Sequence, residues 1–201
     1  MRRLSMFMLV SLAACGGDDG GTINSEEVIT TMRLELVPMG GGSTINAAWD
    51  DPDGDGGEPP MIDTLLVNFN TAYAVTVRFQ NALETPPEEI TDEVRDESDE
   101  HQVFFTGTAV NGPAADNPGA PLTHAYTDMD VNGLPIGLAN TFTSGAGGDG
   151  QLTVTLRHLP PVNGTAVKTA DLASEVRAGG FAEIGGENDA NVTFEVAVLV
   201  P

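Results

Sequence analysis

The sequence predicts an all-β fold, an antiparallel Greek-key β-sandwich of the immunoglobulin or fibronectin kind, with one short acidic helix. Apolar residues alternate with polar ones in many short runs, which is the period of a β-strand. Clusters rich in Gly, Pro and Asp separate these runs. The stretch "VNFNTAYAVTV" (67–77) also has the spacing of a tyrosine corner around Tyr73, which is typical of such sandwiches.

The first residues predict a lipoprotein signal peptide over residues 1–14. Arg2 and Arg3 precede an apolar stretch that is shorter than the roughly 20 residues a membrane-spanning helix needs. The run "LAAC" at 12–15 matches the lipobox of bacterial lipoproteins, in which the chain is cut before the cysteine and the cysteine is acylated. We therefore expect lipidation at Cys15, the only cysteine of the chain; the alternative is an ordinary signal peptide with an incidental cysteine.

Residues 15–26 are rich in Gly and Asp and predict a flexible tether, which leaves residues 27–201 for a single β-sandwich domain. Gly16 follows Cys15, so the aspartate that retains some lipoproteins in the inner membrane is missing. This favours the outer membrane, on its periplasmic or surface face. The formal net charge of −22 excludes nucleic acid as an expected partner. The expected partners are the membrane, through the anchor, and an unknown protein or small ligand.

The predicted elements follow in chain order. About eight strands are expected from Glu27 onward, with the clearest alternation at 45–49, 65–69, 73–79, 101–105, 152–156 and 192–200. The helix is predicted from Thr85 as N-cap, with Glu88 completing a capping box. Ile90 and Val94 lie one helical turn apart and predict a narrow buried stripe. A second helical turn is expected within 169–180.

The stretch "AAWDDPDGDGG" (47–57) has the spacing of a calcium loop. Asp51, Asp53 and Asp55 alternate along it and would offer three carboxylates to a cation that prefers six to eight oxygen ligands. The bidentate acid that an EF-hand needs at the twelfth position is replaced by Ile62. We expect a structural turn first and a calcium site second.

A second loop, "DMDVNG" (128–133), repeats the pattern. Asp128, Asp130 and Asn132 have the same one-three-five oxygen spacing, and the twelfth position is again not acidic, because it is Ala139. Calcium is therefore the one possible cofactor at these loops, with acidic turns as the alternative.

Two histidines lie at predicted strand ends. His101 begins one strand and His158 ends another, so antiparallel pairing would bring the two imidazoles together. With Glu97, Asp99 or Glu100 nearby, a site of two histidines and a carboxylate for a metal ion is conceivable. The alternative is a pair of histidines that only pair with acids at the rim of the core.

From Glu26 onward the chain resembles a group of small bacterial lipoproteins, common in the Bacteroidetes lineage, that are often labelled type 1 periplasmic binding fold superfamily proteins. The stretches that carry the resemblance are "EEVITTMRLEL", "DPDGDGGEPP", "EEITDEVRDESDEHQVFF", "DMDVNGLPIGL", "GQLTVTLRH" with Lys168 after it, and "GGENDANVTFEV". The resemblance implies an anchored, single-domain lipoprotein and brings no catalytic residues with it. The label names an α/β fold, whereas the strand pattern predicts an all-β one.

Three functions follow from these patterns. The first is a non-enzymatic structural or interaction module, lipid-anchored at the cell envelope, with no catalytic residues expected. The second is a calcium-dependent binding or adhesion module that uses the two Asp loops. The third is a metal-dependent enzyme that uses His101 and His158.

Overall fold

The structure, a computed structural model, describes residues 27–54, 56–145 and 147–200. The predicted signal peptide, Cys15 and the tether lie outside the described residues, as does Asp55. The elements are, in chain order, β1 (Thr31–Pro38), β2 (Ile45–Asp50), β3 (Met61–Ile62), β4 (Leu65–Asn68), β5 (Ala72–Asn81), β6 (Glu88–Glu89), α1 (Ile90–Asp96), β7 (His101–Thr106), β8 (Val110–Asn111), β9 (Leu122–Tyr126), β10 (Ala139–Ser144), β11 (Asp149–His158), α2 (Leu172–Gly179) and β12 (Glu187–Leu199).

The strands form two curled, mixed sheets. The larger sheet has the order β3-β2-β1-β5-β10-β9-β8, with β6 beside β5, and the smaller sheet has the order β4-β12-β11-β7. The all-β prediction is confirmed. The expectation that all strands pair antiparallel is corrected, because β4 pairs with β12 and β8 with β9 in parallel. Alternation of side chains identifies a strand but says nothing of its partner or direction.

One hydrophobic core lies between the sheets. In β5 every second side chain from Tyr73 to Phe79 is buried and those between are exposed, as strand geometry requires. The smaller sheet contributes the alternating residues of β11 and β12 from its inner face. Large core side chains from the two sheets include Leu34, Phe79, Phe142, Phe105, Leu152 and Phe194. Burial of these apolar surfaces is the main force that holds the sheets together.

The acidic helix begins later than predicted. It starts at Ile90 with Glu89 as its N-cap, and Thr85 is not part of it. Glu88 and Glu89 pair instead with the last two residues of β5, so the backbone there is extended and the predicted capping box does not form. The local capping signal is overridden by a pairing between strands that the local sequence does not reveal.

The buried stripe of the helix is confirmed, since Ile90 and Val94 are both buried. The second helical turn expected within 169–180 is also confirmed, as the helix α2, which buries Leu172 and Val176 one turn apart. Neither helix is long and apolar enough to cross a membrane, and the same holds for every helical segment in the described ranges.

The tyrosine-corner spacing has its expected hydrogen bond. Tyr73 is fully buried, and its hydroxyl oxygen accepts the backbone N–H of Asn68 at 2.8 Å. The bond joins the start of β5 to the end of β4, and so fixes the crossing from the smaller sheet to the larger one.

Replacing Tyr73 by Phe is expected to lower the free energy of unfolding by about 1–2 kcal/mol. The substitution keeps the ring in the core but leaves the Asn68 N–H without its acceptor. Urea denaturation of the two proteins measures the difference. An unchanged free energy of unfolding would contradict a stabilising role for this hydroxyl.

Candidate functional site

The two predicted histidines meet at one end of the core. β7 begins at His101 and β11 ends at His158, and the two residues are direct partners in the antiparallel register. Their rings are stacked, with centroids 4.4 Å apart and an angle of 13° between the ring planes. Both side chains are buried. The predicted adjacency is therefore confirmed, while metal binding by this pair stays a prediction.

A backbone bond sets the tautomer of His101. Its Nδ1 lies 3.1 Å from the carbonyl oxygen of Glu97, just beyond the end of α1. A carbonyl oxygen only accepts, so Nδ1 donates and the lone pair of the neutral ring is on Nε2. Burial lowers the pKa of His101 to about 4, although the bond to Glu97 opposes the shift. The imidazole is therefore neutral at neutral pH.

Two buried carboxyl groups face Nε2 of His101. The Oε1 atom of Glu27 lies 3.6 Å away and the Oδ2 atom of Asp189 lies 3.7 Å away. Both distances exceed those of a hydrogen bond, and Nε2 has no hydrogen-bond partner among the described residues. Burial, and after it the charge of Asp189, raises the pKa of Glu27 to about 8. Sequence reasoning missed both acids.

A β-bulge places Asp189. The register between β11 and β12 shifts between Leu156 and Arg157, and Asp189 is the residue that has no opposite partner. A bulge inserts one residue and changes the direction in which its side chain points. The Asp189 side chain is only 3% exposed and lies beside His101, at the end of the core.

The two carboxyl groups also line a cleft with the first Asp loop. Glu27 and Asp189 share a cleft of about 640 Å3 with Asp51 and Asp53. We call it the acidic cleft, after these four residues. The remaining walls come mostly from the chain that leads into β1 and from Trp49. The structure thus brings the first predicted loop together with the histidine end of the core.

The Asp51 loop is a compact turn at the edge of this cleft. The Asp51 carbonyl accepts the Gly54 N–H, and the Asp53 carboxylate accepts the Glu58 N–H. Gly54 has φ +60°, which suits glycine. The Oδ1 atom of Asp51 is buried and finds no hydrogen-bond partner in the part of the chain that the structure describes. Calcium at this loop stays a prediction, because Asp55 is outside the described residues.

The second Asp loop uses its carboxylates differently. Both oxygens of Asp128 accept backbone N–H groups, from Gly137 and Ala139. The Oδ1 atom of Asp130 accepts the N–H groups of Asn132 and Leu134. These bonds close the loop and favour the structural turn over the calcium site that the spacing suggested.

The remaining oxygen of Asp130 faces the only lysine of the chain. The Nζ atom of Lys168 lies 3.0 Å from Asp130 Oδ2 and donates to the Ser98 carbonyl at 2.7 Å. Burial lowers the pKa of Lys168, while Asp130 opposes the shift. Burial alone would raise the pKa of Asp130, but the Leu134 N–H and Lys168 together lower it. The Lys168 ammonium group therefore lies beside Asp130, where the loop pattern suggested a metal ion.

His158 has acidic neighbours of its own. Its Nε2 atom lies 3.7 Å from Glu100 Oε2. Glu97, His101 and His158 also have one ligand-type atom each within 4.8 Å of one another, as the two-histidine prediction required. The Glu97 side chain is exposed. The side chains of Glu27 and Asp189, by contrast, are largely buried beside His101.

The fold and the site define an all-β protein with an acidic cleft next to a buried, neutral histidine. The chain matches no protein-family model, no curated protein and no solved structure.

Proposed function

We propose that this chain is a lipid-anchored lipoprotein of the bacterial cell envelope, and that its β domain is a non-enzymatic interaction module that binds its ligand in the acidic cleft. The observation that carries the anchoring is the lipobox ending at Cys15, twelve residues before Glu27. Glu27, which follows the predicted tether in the sequence, lines the acidic cleft. The outer membrane is the proposed location.

The character of the cleft supports a positively charged ligand. Four carboxyl groups line it, and the chain as a whole has a formal net charge of −22, which repels anions. A cationic group or a metal ion entering the cleft would offset the mutual repulsion of these acids. Calcium, the second candidate function, is supported by the buried Oδ1 atom of Asp51, which has no hydrogen-bond partner within the described ranges.

The burial of His101 supports binding rather than catalysis. A catalytic metal keeps one coordination position open to substrate. His101 is 0% exposed, and neither His101 nor His158 lines the acidic cleft, so a metal ion held by both rings would not be open to a substrate in that cleft. A metal-dependent enzyme built on the two histidines is therefore the less favoured proposal.

We also propose that the two sheets form a Greek-key sandwich of the immunoglobulin or fibronectin kind. The Tyr73 hydroxyl bonded to the Asn68 N–H supports a Greek-key sandwich of the immunoglobulin or fibronectin kind. Two strand pairs, β4 with β12 and β8 with β9, are parallel and depart from that antiparallel pattern.

The anchoring is tested by substituting Cys15 with Ser. The full chain is expressed in a bacterium fed a labelled fatty acid, and label on the protein is measured after extraction in detergent. The unchanged chain should carry label and stay with the membranes, and the variant should carry none. Ser5→Ala, within the same signal but outside the lipobox, is the matched control and should be labelled normally. An unlabelled wild-type chain would contradict the anchoring.

A further inference from the structure

We propose that the inner end of the acidic cleft binds a divalent transition-metal ion of the zinc class, with His101 Nε2 and the carboxylates of Glu27 and Asp189 as its ligands. The inference names the ligand of the interaction module proposed above and rests on that proposal for its biological role. The site itself stands on the geometry of three residues.

The three ligand atoms have nearly the spacing that zinc requires. Zinc binds nitrogen and oxygen at about 2.0–2.2 Å in a tetrahedral arrangement, which places neighbouring ligand atoms about 3.3–3.6 Å apart. The His101 Nε2 atom is 3.6 Å from Glu27 Oε1 and 3.7 Å from Asp189 Oδ2. One ligand atom from each of the three residues lies within 4.8 Å of the others. The two distances from Nε2 are thus close to those around a bound zinc ion.

The orientation of His101 is already that of a metal ligand. Metal-binding histidines donate their second ring N–H to a carbonyl or carboxylate, which fixes the ring and the tautomer. Here Nδ1 donates to the Glu97 carbonyl oxygen at 3.1 Å. Nε2, in a side chain that is 0% exposed, then has the lone pair, lies 3.6 Å and 3.7 Å from the two carboxyl oxygens, and has no hydrogen-bond partner among the described residues.

The buried carboxyl groups beside His101 favour a bound cation. The side chain of Glu27 is only 10% exposed, and it would be ionised at considerable cost without a positive charge beside it. The Oε2 atom of Glu27 is also buried without a hydrogen-bond partner in the described part of the chain. A divalent ion supplies the missing charge, and the acidic cleft offers a path of entry.

The donor set selects the class of metal. Calcium and magnesium prefer oxygen ligands alone, whereas imidazole nitrogen suits zinc, copper, iron and nickel. One nitrogen and two carboxylates leave a fourth tetrahedral position for water from the cleft.

Binding would fasten the start of the domain to its core. Glu27 belongs to the segment that leads into β1, Asp189 belongs to the bulge of β12, and His101 begins β7. The ion would therefore join three parts of the chain that are distant in sequence. Because it binds the folded state only, it should raise the melting temperature.

The test uses the full chain, purified in detergent from whole cells and freed of metal with a chelator. Zinc chloride is titrated in a calorimeter, and the melting temperature is measured with and without zinc. We expect one zinc ion bound per chain and a melting temperature several degrees higher with zinc. Glu27→Gln and Asp189→Asn should each weaken zinc binding at least tenfold. Glu35→Gln, which removes an exposed acid from β1, is the matched control and should bind zinc normally.

Three results would overturn the inference: no heat of zinc binding by the unchanged chain, zinc binding that survives both substitutions, or a calcium response that is as large as that of zinc and is lost with the same two substitutions. The melting curve of Asp189→Asn without zinc shows whether this variant folds. A loss of zinc binding is then not mistaken for misfolding. Loss of zinc binding leaves the acylation of Cys15 untouched, and loss of acylation leaves zinc binding untouched, so the two proposals fail separately.

Discussion

Replacing Lys168 by methionine is expected to lower the free energy of unfolding by about 3–5 kcal/mol. The Lys168 and Asp130 side chains are 1% and 0% exposed, with Nζ 3.0 Å from Oδ2. Methionine keeps most of the volume of lysine but leaves the Asp130 carboxylate buried without its counter-charge. Denaturation in urea, followed by circular dichroism, measures the loss.

An exposed ion pair serves as the control for this substitution. Arg33 and Asp50 are 3.2 Å apart, but the Arg33 side chain is 52% exposed, so water screens the pair. Arg33→Met should therefore cost no more than about 1 kcal/mol. Adding Asp130→Asn to Lys168→Met should recover part of the stability, because the amide still accepts the loop N–H groups but carries no charge. Equal losses for Lys168→Met and Arg33→Met would contradict a structural role for the buried pair.

Lowering the pH from 7 to 4.5 is expected to remove roughly 2 kcal/mol of stability through His124 alone. Burial lowers its pKa from 6.5 to about 4, although the bond to Asn140 opposes the shift. The Asn140 amide nitrogen donates to Gly137, so its oxygen faces His124 and accepts the Nε2 N–H at 3.0 Å. A second proton would go to Nδ1, which is buried with no hydrogen-bond partner in the described residues.

Stability falls with pH because the unfolded state binds a proton on His124 at a higher pH than the folded state does. Unfolded chains protonate His124 near pH 6.5, whereas the folded protein resists until about pH 4, so stability is present above pH 6.5 and is lost as the pH falls between these values. No charged side chain packs on the ring among the described ring and hydrogen-bond contacts, which come from Phe105, Tyr126, Asn140 and Phe142.

His124→Gln isolates this contribution. Other groups that titrate in acid are present in both proteins and cancel when their free energies of unfolding are subtracted. The difference between wild type and variant should shrink by roughly 2 kcal/mol between pH 7 and pH 4.5. A difference that does not change with pH would contradict the assignment.

The strands could be predicted because burial in a sheet has a period of two. The alternation from Tyr73 to Phe79 coincides with β5, and the Tyr73 spacing predicted its hydrogen bond. The pairing of His101 with His158 followed from their places at opposite ends of antiparallel strands. Each of these predictions depends on residues that are close in sequence or in register.

The remaining features depend on contacts that no local pattern encodes. Asp189 reaches His101 only because a bulge shifts the register of β12, and no residue type in that stretch marks the bulge. Glu27 precedes the first strand and lies far in sequence from its neighbours. Lys168 does carry a sequence signal, because a lone lysine in a chain with 30 acidic residues is a strong candidate for a specific ion pair.

The two Asp loops also differ through contacts that the local sequence does not encode. Their spacing is alike, but Asp130 is sealed by backbone N–H groups and Lys168, whereas Asp51 opens onto the acidic cleft. Spacing predicts which oxygens are near one another, and only the surrounding fold decides what they bind.

The most direct test of the metal site is a crystal structure of the full chain grown with zinc, with diffraction measured on both sides of the zinc absorption edge. We predict one strong anomalous peak per chain, within about 2.0–2.2 Å of His101 Nε2 and of carboxylate oxygens of Glu27 and Asp189. A map with no peak there, or with its only peak beside Glu97 and His158 or on the Asp51 loop, would contradict the account.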